Sequence, residues 1–273
     1  MEFTKMHGLG NDYLYMKADA LPGPEEAAAL ALRWSDRHTG VGSDGIIWIL
    51  PPSPAAAAVG AVACMRIFNA DGSEAMMCGN GIRCVGKYLY DRGLVPPETR
   101  LLRMETLSGI KALHLEVRDG AVQQVSVDMG QARVEVPLAL AVAGGVQVVP
   151  VNVGNPHAVI FCDDAEAAPV ESVGPRVEHD PAFPGGVNVE FVSVVGPAEL
   201  RMRVWERGSG ITQACGTGAC ASVAAAVSEG LCPACVPVCV HLDGGDLRIT
   251  VDGNFAVQMT GPAAFVCDGI TCD

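Results

Sequence analysis

The sequence contains one block twice, and that repeat restricts the fold more than any other feature. Met65-Arg66-Ile67-Phe68 is followed, ten residues after Phe68, by Cys78-Gly79-Asn80-Gly81. Met202-Arg203-Val204-Trp205 is followed, ten residues after Trp205, by Cys215-Gly216-Thr217-Gly218. Both blocks are displaced by 137 positions, half of the 273-residue chain. Two matched blocks sharing one displacement point to a duplicated domain. Looser echoes agree: Gly10-Asn11 recurs as Gly154-Asn155, and the apolar run after Gly45 resembles the one after Asn188. The expected architecture is an α+β chain of two pseudo-symmetric domains, residues 1–130 and 131–262, with an active site in the cleft between them. A tail, residues 263–273, is expected to pack back on the first half.

Each half reads alike at the level of local structure. Ala61–Phe68, Ala121–Met129, Gln147–Val153, Val187–Val195 and Glu199–Trp205 are β-branched or alternating, which predicts strands in a mostly antiparallel, barrel-like sheet. After each Cys-Gly-x-Gly comes a helical stretch of small residues: Ile82–Asp91, stopped by Gly93, and Ala219–Ser228, stopped by Gly230. Small residues on all sides predict a central helix wrapped by strands. Pro24–Arg37, opening on proline and two glutamates, predicts another helix, and Pro51–Ala58 reads as a loop.

Composition removes several function classes. With 18 Lys and Arg against 31 Asp and Glu, the net charge is −13. That argues against nucleic acid or an anionic membrane surface as partner. A hydrophobic fraction of 49% excludes disorder. The longest weakly polar run, Val136–Val151, holds two prolines and is shorter than the ~20 residues of a membrane span. The opening MEFTKMHGLGND has no apolar signal region. A cytoplasmic setting is expected, with the eleven cysteines mostly reduced.

Of those cysteines, the repeat selects Cys78 and Cys215. Each stands at a predicted helix start, where unpaired N–H groups and the macrodipole favour an anion and lower a thiol pKa. The neighbouring glycines let a ligand carboxylate approach the main chain. Pseudo-twofold symmetry would set the two sulfurs on opposite sides of the cleft. One thiolate then takes a proton from a carbon, and the opposing thiol returns one on the other face. The predicted chemistry is stereoinversion without metal, flavin or pyridoxal, hence no cofactor and no metal.

These residues resemble a known family, the diaminopimelate epimerases among the cofactor-independent two-cysteine amino-acid epimerases and racemases. The matching stretches are MHGLGNDY from Met6, RHTGVGSDG from Arg37, FNADGSEAMMCGNGIRC from Phe68, GNPHAV from Gly154, VNVEFV from Val187 and RVWERGSG…ACGTGAC from Arg203. The resemblance implies interconversion of LL- and meso-diaminopimelate on the lysine and cell-wall pathway, by a homodimer acting on a small amino-acid substrate. It makes Cys78 and Cys215 the catalytic pair, with His157 near a thiol and Glu206 at the reacting amino group. Asn11, Asn69, Asn155, Asn188 and Arg207 match residues that hold the distal end of the substrate. Gly79-Asn80 and Gly216-Thr217 match helix-start amides that bind the α-carboxylate. Two positions depart from common family patterns, Ile211 where an acid is frequent and Gly45 where some members carry Gln.

Other readings fit less well. A racemase of another amino acid, such as histidine, shares the plan; a non-catalytic amino-acid-binding module would not need both cysteines. Gln213-Ala214-Cys215-Gly216 resembles a cysteine-peptidase signature, but the first copy of the repeat lacks Gln-Ala. Gly216-x-Gly218-x-x-Ala221 is a loose dinucleotide fingerprint with no parallel βαβ unit before it. Cys232, Cys235, Cys239 and His241 are zinc-ligand types in a C-x2-C-x3-C-x-H run. Val236–Val240 reads as a strand and no second CxxC pair exists, so ordinary thiols are expected there.

Overall fold

β-Branched and aromatic runs form the sheets of this protein, and the small-residue blocks after Cys78 and Cys215 form helices against them. The computed structural model describes residues 1–272, apart from the side chain at position 143; the last residue of the expected tail, 273, lies outside the described residues. The chain divides into two units, Met1–Asp128 with Gly261–Asp273, and Met129–Thr260. The first contains β1 (Glu2–Gly8), β2 (Asn11–Lys17), α1 (Pro24–Ser35), β3 (Gly45–Leu50), α2 (Pro54–Ala58), β4 (Ala61–Asn69), β5 (Glu74–Ala75), α3 (Gly79–Asp91), β6 (Leu101–Thr106), β7 (Gly109–Arg118) and most of β8 (Ala121–Gln131). The second contains β9 (Arg133–Val134), β10 (Leu138–Leu140), β11 (Val146–Asn152), β12 (Pro156–Phe161), α4 (Val170–Glu178), β13 (Asn188–Gly196), β14 (Glu199–Glu206), β15 (Gly210–Ile211), α5 (Gly216–Ser228), β16 (Val238–Leu242), β17 (Gly245–Val251) and most of β18 (Ala256–Gly261). The chain then returns to the first unit as β19 (Ala264–Ile270), antiparallel to β1 with Glu2 opposite Ile270.

Connectivity repeats between the units. β2 and β3 are parallel neighbours with α1 between them in the chain, as β12 and β13 are with α4. β4 runs antiparallel to β3 and β5 and parallel to β6, with α3 as the crossover. β14 does the same with β13, β15 and β16, and α5 is its crossover. Parallel neighbours require such crossovers, and helices supply them.

The central strands are buried on both faces, which explains their continuous apolar reading. All six residues of β3 are buried. Ile46, Trp48 and Leu50 pack with Ala27, Ala31 and Trp34 of α1. Strand alternation turns Ile47 the other way, toward α3, where its Cδ1 lies 2.5 Å from the Cβ that Gly81 lacks. In the second unit Val189 and Phe191 of β13 join Val170, Val173 and Val177 of α4. Alternation sends Asn188 and Glu190 to the opposite face, and Glu190 Oε1 lies 2.8 Å from the missing Cβ of Gly218. Helix α5 packs against β9, β11, β12, β13, β14, β16 and β17. Its residues Ala219–Ala226 are all buried, a placement only small side chains permit.

Several element boundaries differ from the sequence expectation for local reasons. Helices α3 and α5 begin at Gly79 and Gly216, three residues early, because the cysteines themselves are their N-caps. Helix α1 ends at Ser35 rather than Arg37, because the Asp36 carboxylate accepts the N–H groups of His38 and Thr39 at 2.8 and 2.6 Å. Pro51–Ala58 is not all loop: the Ser53 hydroxyl accepts the Ala56 N–H at 3.2 Å and caps α2. Helix α4 was not anticipated. It packs so closely on β14 that a Cβ at Gly174 would stand 2.6 Å from the Trp205 Cβ. Gly174→Ala is therefore expected to destabilise the protein by about 1–3 kcal/mol, the usual cost of overpacking. A lowered urea midpoint would register that loss.

Candidate active site

Cys78 and Cys215 occupy equivalent positions, and both sulfurs do the work of an N-cap. The Gly81 N–H donates to Cys78 Sγ at 3.3 Å, and the Gly218 N–H donates to Cys215 Sγ at 3.3 Å. Both cysteines are extended (φ −135 and −116), as a cap residue must be. The first helical bonds run from Ile82 N–H to the Cys78 carbonyl and from Ala219 N–H to the Cys215 carbonyl. Ahead of them stand the amides of Gly79-Asn80 and Gly216-Thr217, at helix ends with a positive dipole, as an anion site requires.

In the first unit, Asn11, at the start of β2, stands beside Cys78. Its Oδ1 accepts Cys78 Sγ–H at 3.4 Å and an Asn80 Nδ2–H at 3.5 Å. Its Nδ2 donates to Asp44 Oδ2 at 2.8 Å, which fixes the amide orientation. Arg37 holds Asp44 and Asp12 at 3.0 and 2.9 Å. Asn69, closing β4, accepts from the Tyr13 hydroxyl at 3.4 Å. Burial, then the neighbouring Cys78 and Asp44, push the Tyr13 phenol well above its ordinary value, so it stays a donor.

In the second unit a hydrogen-bonded chain ends at the sulfur. Glu190 Oε1 and His157 Nδ1 lie 2.7 Å apart, both side chains fully buried. His157 Nε2 meets Asn155 Oδ1 at 3.0 Å, and Asn155 Nδ2 donates to Thr217 Oγ1 at 3.4 Å. The Thr217 hydroxyl lies 3.5 Å from Cys215 Sγ. Glu206 accepts from the Thr212 hydroxyl. Asn188 shapes the adjoining turn: its Oδ1 accepts the Arg207 N–H at 2.9 Å, and its Nδ2 donates to the Pro156 carbonyl at 3.2 Å. Arg207 itself donates to the Gly185 carbonyl at 3.1 Å. The expected site residues thus form two groups. Asn11, Asn69, Gly79 and Asn80 stand with Cys78, and Asn155, His157, Asn188, Glu206, Arg207, Gly216 and Thr217 with Cys215.

The electrostatics of Cys215 reverse the sequence expectation of a lowered thiol pKa. Burial pushes this thiol well above its ordinary value of 9.0, and the carboxylates of Glu206 and Glu190 push it further. Hydrogen bonds from Thr217 and the Gly218 N–H oppose them. The dipole, worth ~0.3–2 kcal/mol, is outweighed. Burial also raises Glu206, with Glu190 adding to it and Thr212 opposing. Below about pH 9 both folded and unfolded chains keep this thiol protonated. Above it the unfolded chain ionises first, so the stability tied to this group falls as pH rises. Alkylation of Cys215, followed by peptide mass spectrometry, is expected to be slow at pH 7 and to accelerate only above the ordinary thiol range. Half-maximal labelling below pH 8 would contradict this electrostatic picture.

Residues with clear positions in these groups that the sequence did not single out include Tyr13, Asp44, Glu178 and Glu190. Glu178 accepts Trp205 Nε1–H at 2.6 Å and the Gly208 N–H at 3.0 Å, so it anchors both sides of Glu206-Arg207. Glu190 carried a usable signal. In Val187-Asn188-Val189-Glu190-Phe191 the polar residues alternate, which places them on one face of a buried strand.

Comparison with known proteins shows what the chain as a whole is similar to. Residues 3–135 and 149–266 match the family model described as diaminopimelate epimerase. The diaminopimelate epimerase of Geobacillus kaustophilus (strain HTA426) is 50% identical, covering 98% of this chain and 95% of its own. That of Bacillus subtilis (strain 168) is 47% identical, covering 98% and 97%. Among solved structures, a phenazine biosynthesis protein from Bacillus anthracis superposes with a TM-score of 0.75 at 17% identity, covering 98% of both chains. A hydroxyproline epimerase from Agrobacterium vitis gives 0.71 at 18%, covering 98% and 91%. These distant likenesses establish the α+β fold, and the close relatives establish more: the chain belongs to the diaminopimelate epimerase family.

Proposed function

We propose that this chain epimerises diaminopimelate at an α-carbon, LL to meso, using Cys78 and Cys215 and no cofactor. The observation that carries the mechanism is the duplicated cap, one thiol and two leading amides at each of two helix starts. A thiolate on one side takes the α-proton, and the C–H electron pair moves onto the carbon and its carboxylate. The opposing thiol then delivers its proton to the other face. The thiol and thiolate exchange places, so the reverse reaction begins with the roles swapped. Helix-start amides of Gly79-Asn80 and Gly216-Thr217 take the α-carboxylate and stabilise the charge that develops on it.

Cys215 starts as the proton donor, because burial, Glu206 and Glu190 keep its thiol protonated. Glu206 is placed to take the α-ammonium of the substrate. That cation offsets the carboxylate beside Cys215 and eases release of the thiol proton once substrate is bound. His157 orders Asn155 and, through it, Thr217 next to the sulfur. Asn11, Asn69, Asn155, Asn188 and Arg207 are assigned to the distal amino-acid end, whose opposite charges need donors and acceptors together. A homodimer working in the cytoplasm on lysine and cell-wall precursors fits this reading. Among the described residues no helix is long and apolar enough to cross a membrane.

The test is α-hydrogen exchange and epimerisation in D2O, with diaminopimelate beside histidine, lysine and proline. Inversion of diaminopimelate with solvent deuterium at the new centre is expected. Preference for another amino acid would replace the substrate and leave the thiols standing. Binding without exchange would make the chain a binding module and end the proposal.

A further inference from the structure

The solvent face of β16 carries a cluster that the epimerase chemistry does not use. Alternation buries Val238, Val240 and Leu242 and leaves Cys239 and His241 side by side, half-buried. Across the antiparallel pair, Asp246 of β17 lies opposite His241. On the parallel side, Glu199 of β14 lies opposite Cys239. His241 Nδ1 is 2.8 Å from Asp246 Oδ1 and 4.0 Å from Cys239 Sγ, while its Nε2 is 2.9 Å from Glu199 Oε1. The donor atoms of Cys239, His241 and Asp246 all lie within 4.8 Å of one another.

We propose that Cys239, His241 and Asp246 form a binding site for a borderline-soft divalent cation, zinc above all, with Glu199 as the group that orients the imidazole. Ligand bonds of 2.0–2.3 Å in a tetrahedron place donors roughly 3.3–3.7 Å apart. The sulfur–nitrogen gap needs to close, and the nitrogen–oxygen gap to open, by about half an ångström each. Mixed thiolate, imidazole and carboxylate donors select zinc over magnesium or calcium. A carboxylate on the remote imidazole nitrogen fixes the tautomer that leaves Nδ1 for the metal, the usual arrangement around ligating histidines. The fourth position belongs to water.

Charge in the neighbourhood is compatible with this. Without metal, hydrogen bonds to Glu199 and Asp246 favour the doubly protonated ring of His241. Metal takes the place of the Nδ1 proton and of the Cys239 thiol proton, so binding releases protons and strengthens with pH. Two cations flank the site. Arg248, opposite Cys239, favours the thiolate, whereas Asp246 and Glu199 oppose it. Arg201, opposite His241, is engaged by Glu166 at 2.6 Å and by Asp243. The Cys239 thiolate, Asp246 and Glu199 bring three anionic groups to the cluster, which favours a dication. The C-x2-C-x3-C-x-H run thus contributes only Cys239 and His241 to this group, and the third donor comes from the next strand.

Cobalt(II) titration reads the site directly, through a thiolate-to-metal absorption band displaced by zinc. The experiment uses the wild-type protein and a Cys78→Ser/Cys215→Ser variant, in which the proposed catalytic thiols cannot compete. One equivalent of cobalt should bind in both, and zinc should raise the melting temperature. Cys239→Ser should abolish the band, and His241→Ala should weaken binding at least tenfold. Absence of a band at one equivalent in the double variant, or its survival in Cys239→Ser, overturns the proposal.

Discussion

Serine at position 78 or position 215 is expected to lower epimerisation in both directions by about a thousandfold, within the 10²–10⁴ range of a positioned acid or base. Serine is the informative replacement because each cysteine also caps a helix, Cys78 through Gly81 and Cys215 through Gly218. A hydroxyl caps well, whereas alanine costs about 0.5–2 kcal/mol at such a position. Serine therefore separates chemistry from folding. The hydroxyl is far less acidic than a thiol and cannot exchange acid and base roles near neutral pH. With one thiol left, a proton can still be removed and returned on the same face. Each variant should then exchange α-hydrogen with D2O in one diaminopimelate stereoisomer only, and the favoured isomer should switch between the variants. Folded serine variants that keep more than a tenth of the epimerisation rate would sink the two-thiol mechanism.

How far the sequence revealed this protein depended on whether the signal was local or repeated. The repeat located both helix starts, and the glycines at 93 and 230, with φ of 67 and 70, stop both helices as expected. Helix α4 was missed because Val170, Val173 and Val177 and an internal Pro175 lower helix propensity, although their spacing is helical. The repeat itself held the corrective: α1 between β2 and β3 predicts a helix between β12 and β13. The rise in the Cys215 pKa was not legible, since it comes from burial, from Glu206 and from Glu190, the last a residue 25 positions upstream brought in by strand β13. Helix-start reasoning counts the local dipole and misses such distant charges. The zinc-ligand spacing was only partly informative: Cys232 and Cys235 precede β16, Cys239 and His241 share one face of it, and the third donor, Asp246, comes from the neighbouring strand.

Glu190 is the residue through which the buried polar chain can be tested. Its side chain is fully buried, it meets His157 at 2.7 Å, and it lies where Gly218 leaves room at the start of α5. Its second oxygen has no hydrogen-bond partner among the described residues. Glu190→Ala strips a buried histidine of its hydrogen-bond partner and leaves a hole, and a loss of about 1–3 kcal/mol is expected from the unsatisfied buried group, with the cavity adding to it. Denaturant unfolding would record that loss. Glu190→Gln keeps the volume and a hydrogen-bonding oxygen but removes the charge, so it should fold with a much smaller penalty. One of the two carboxylates that hold the Cys215 thiol up is then gone, and alkylation of Cys215 should begin at lower pH than in the wild type. The same change keeps the folded thiol closer to its unfolded value, so alkaline loss of stability should also diminish. A residue that merely packed against His157 would alter stability without moving that profile. An unshifted alkylation curve in a well-folded Glu190→Gln protein would remove Glu190 from the electrostatic control of Cys215 and leave Glu206 as the only carboxylate acting on it.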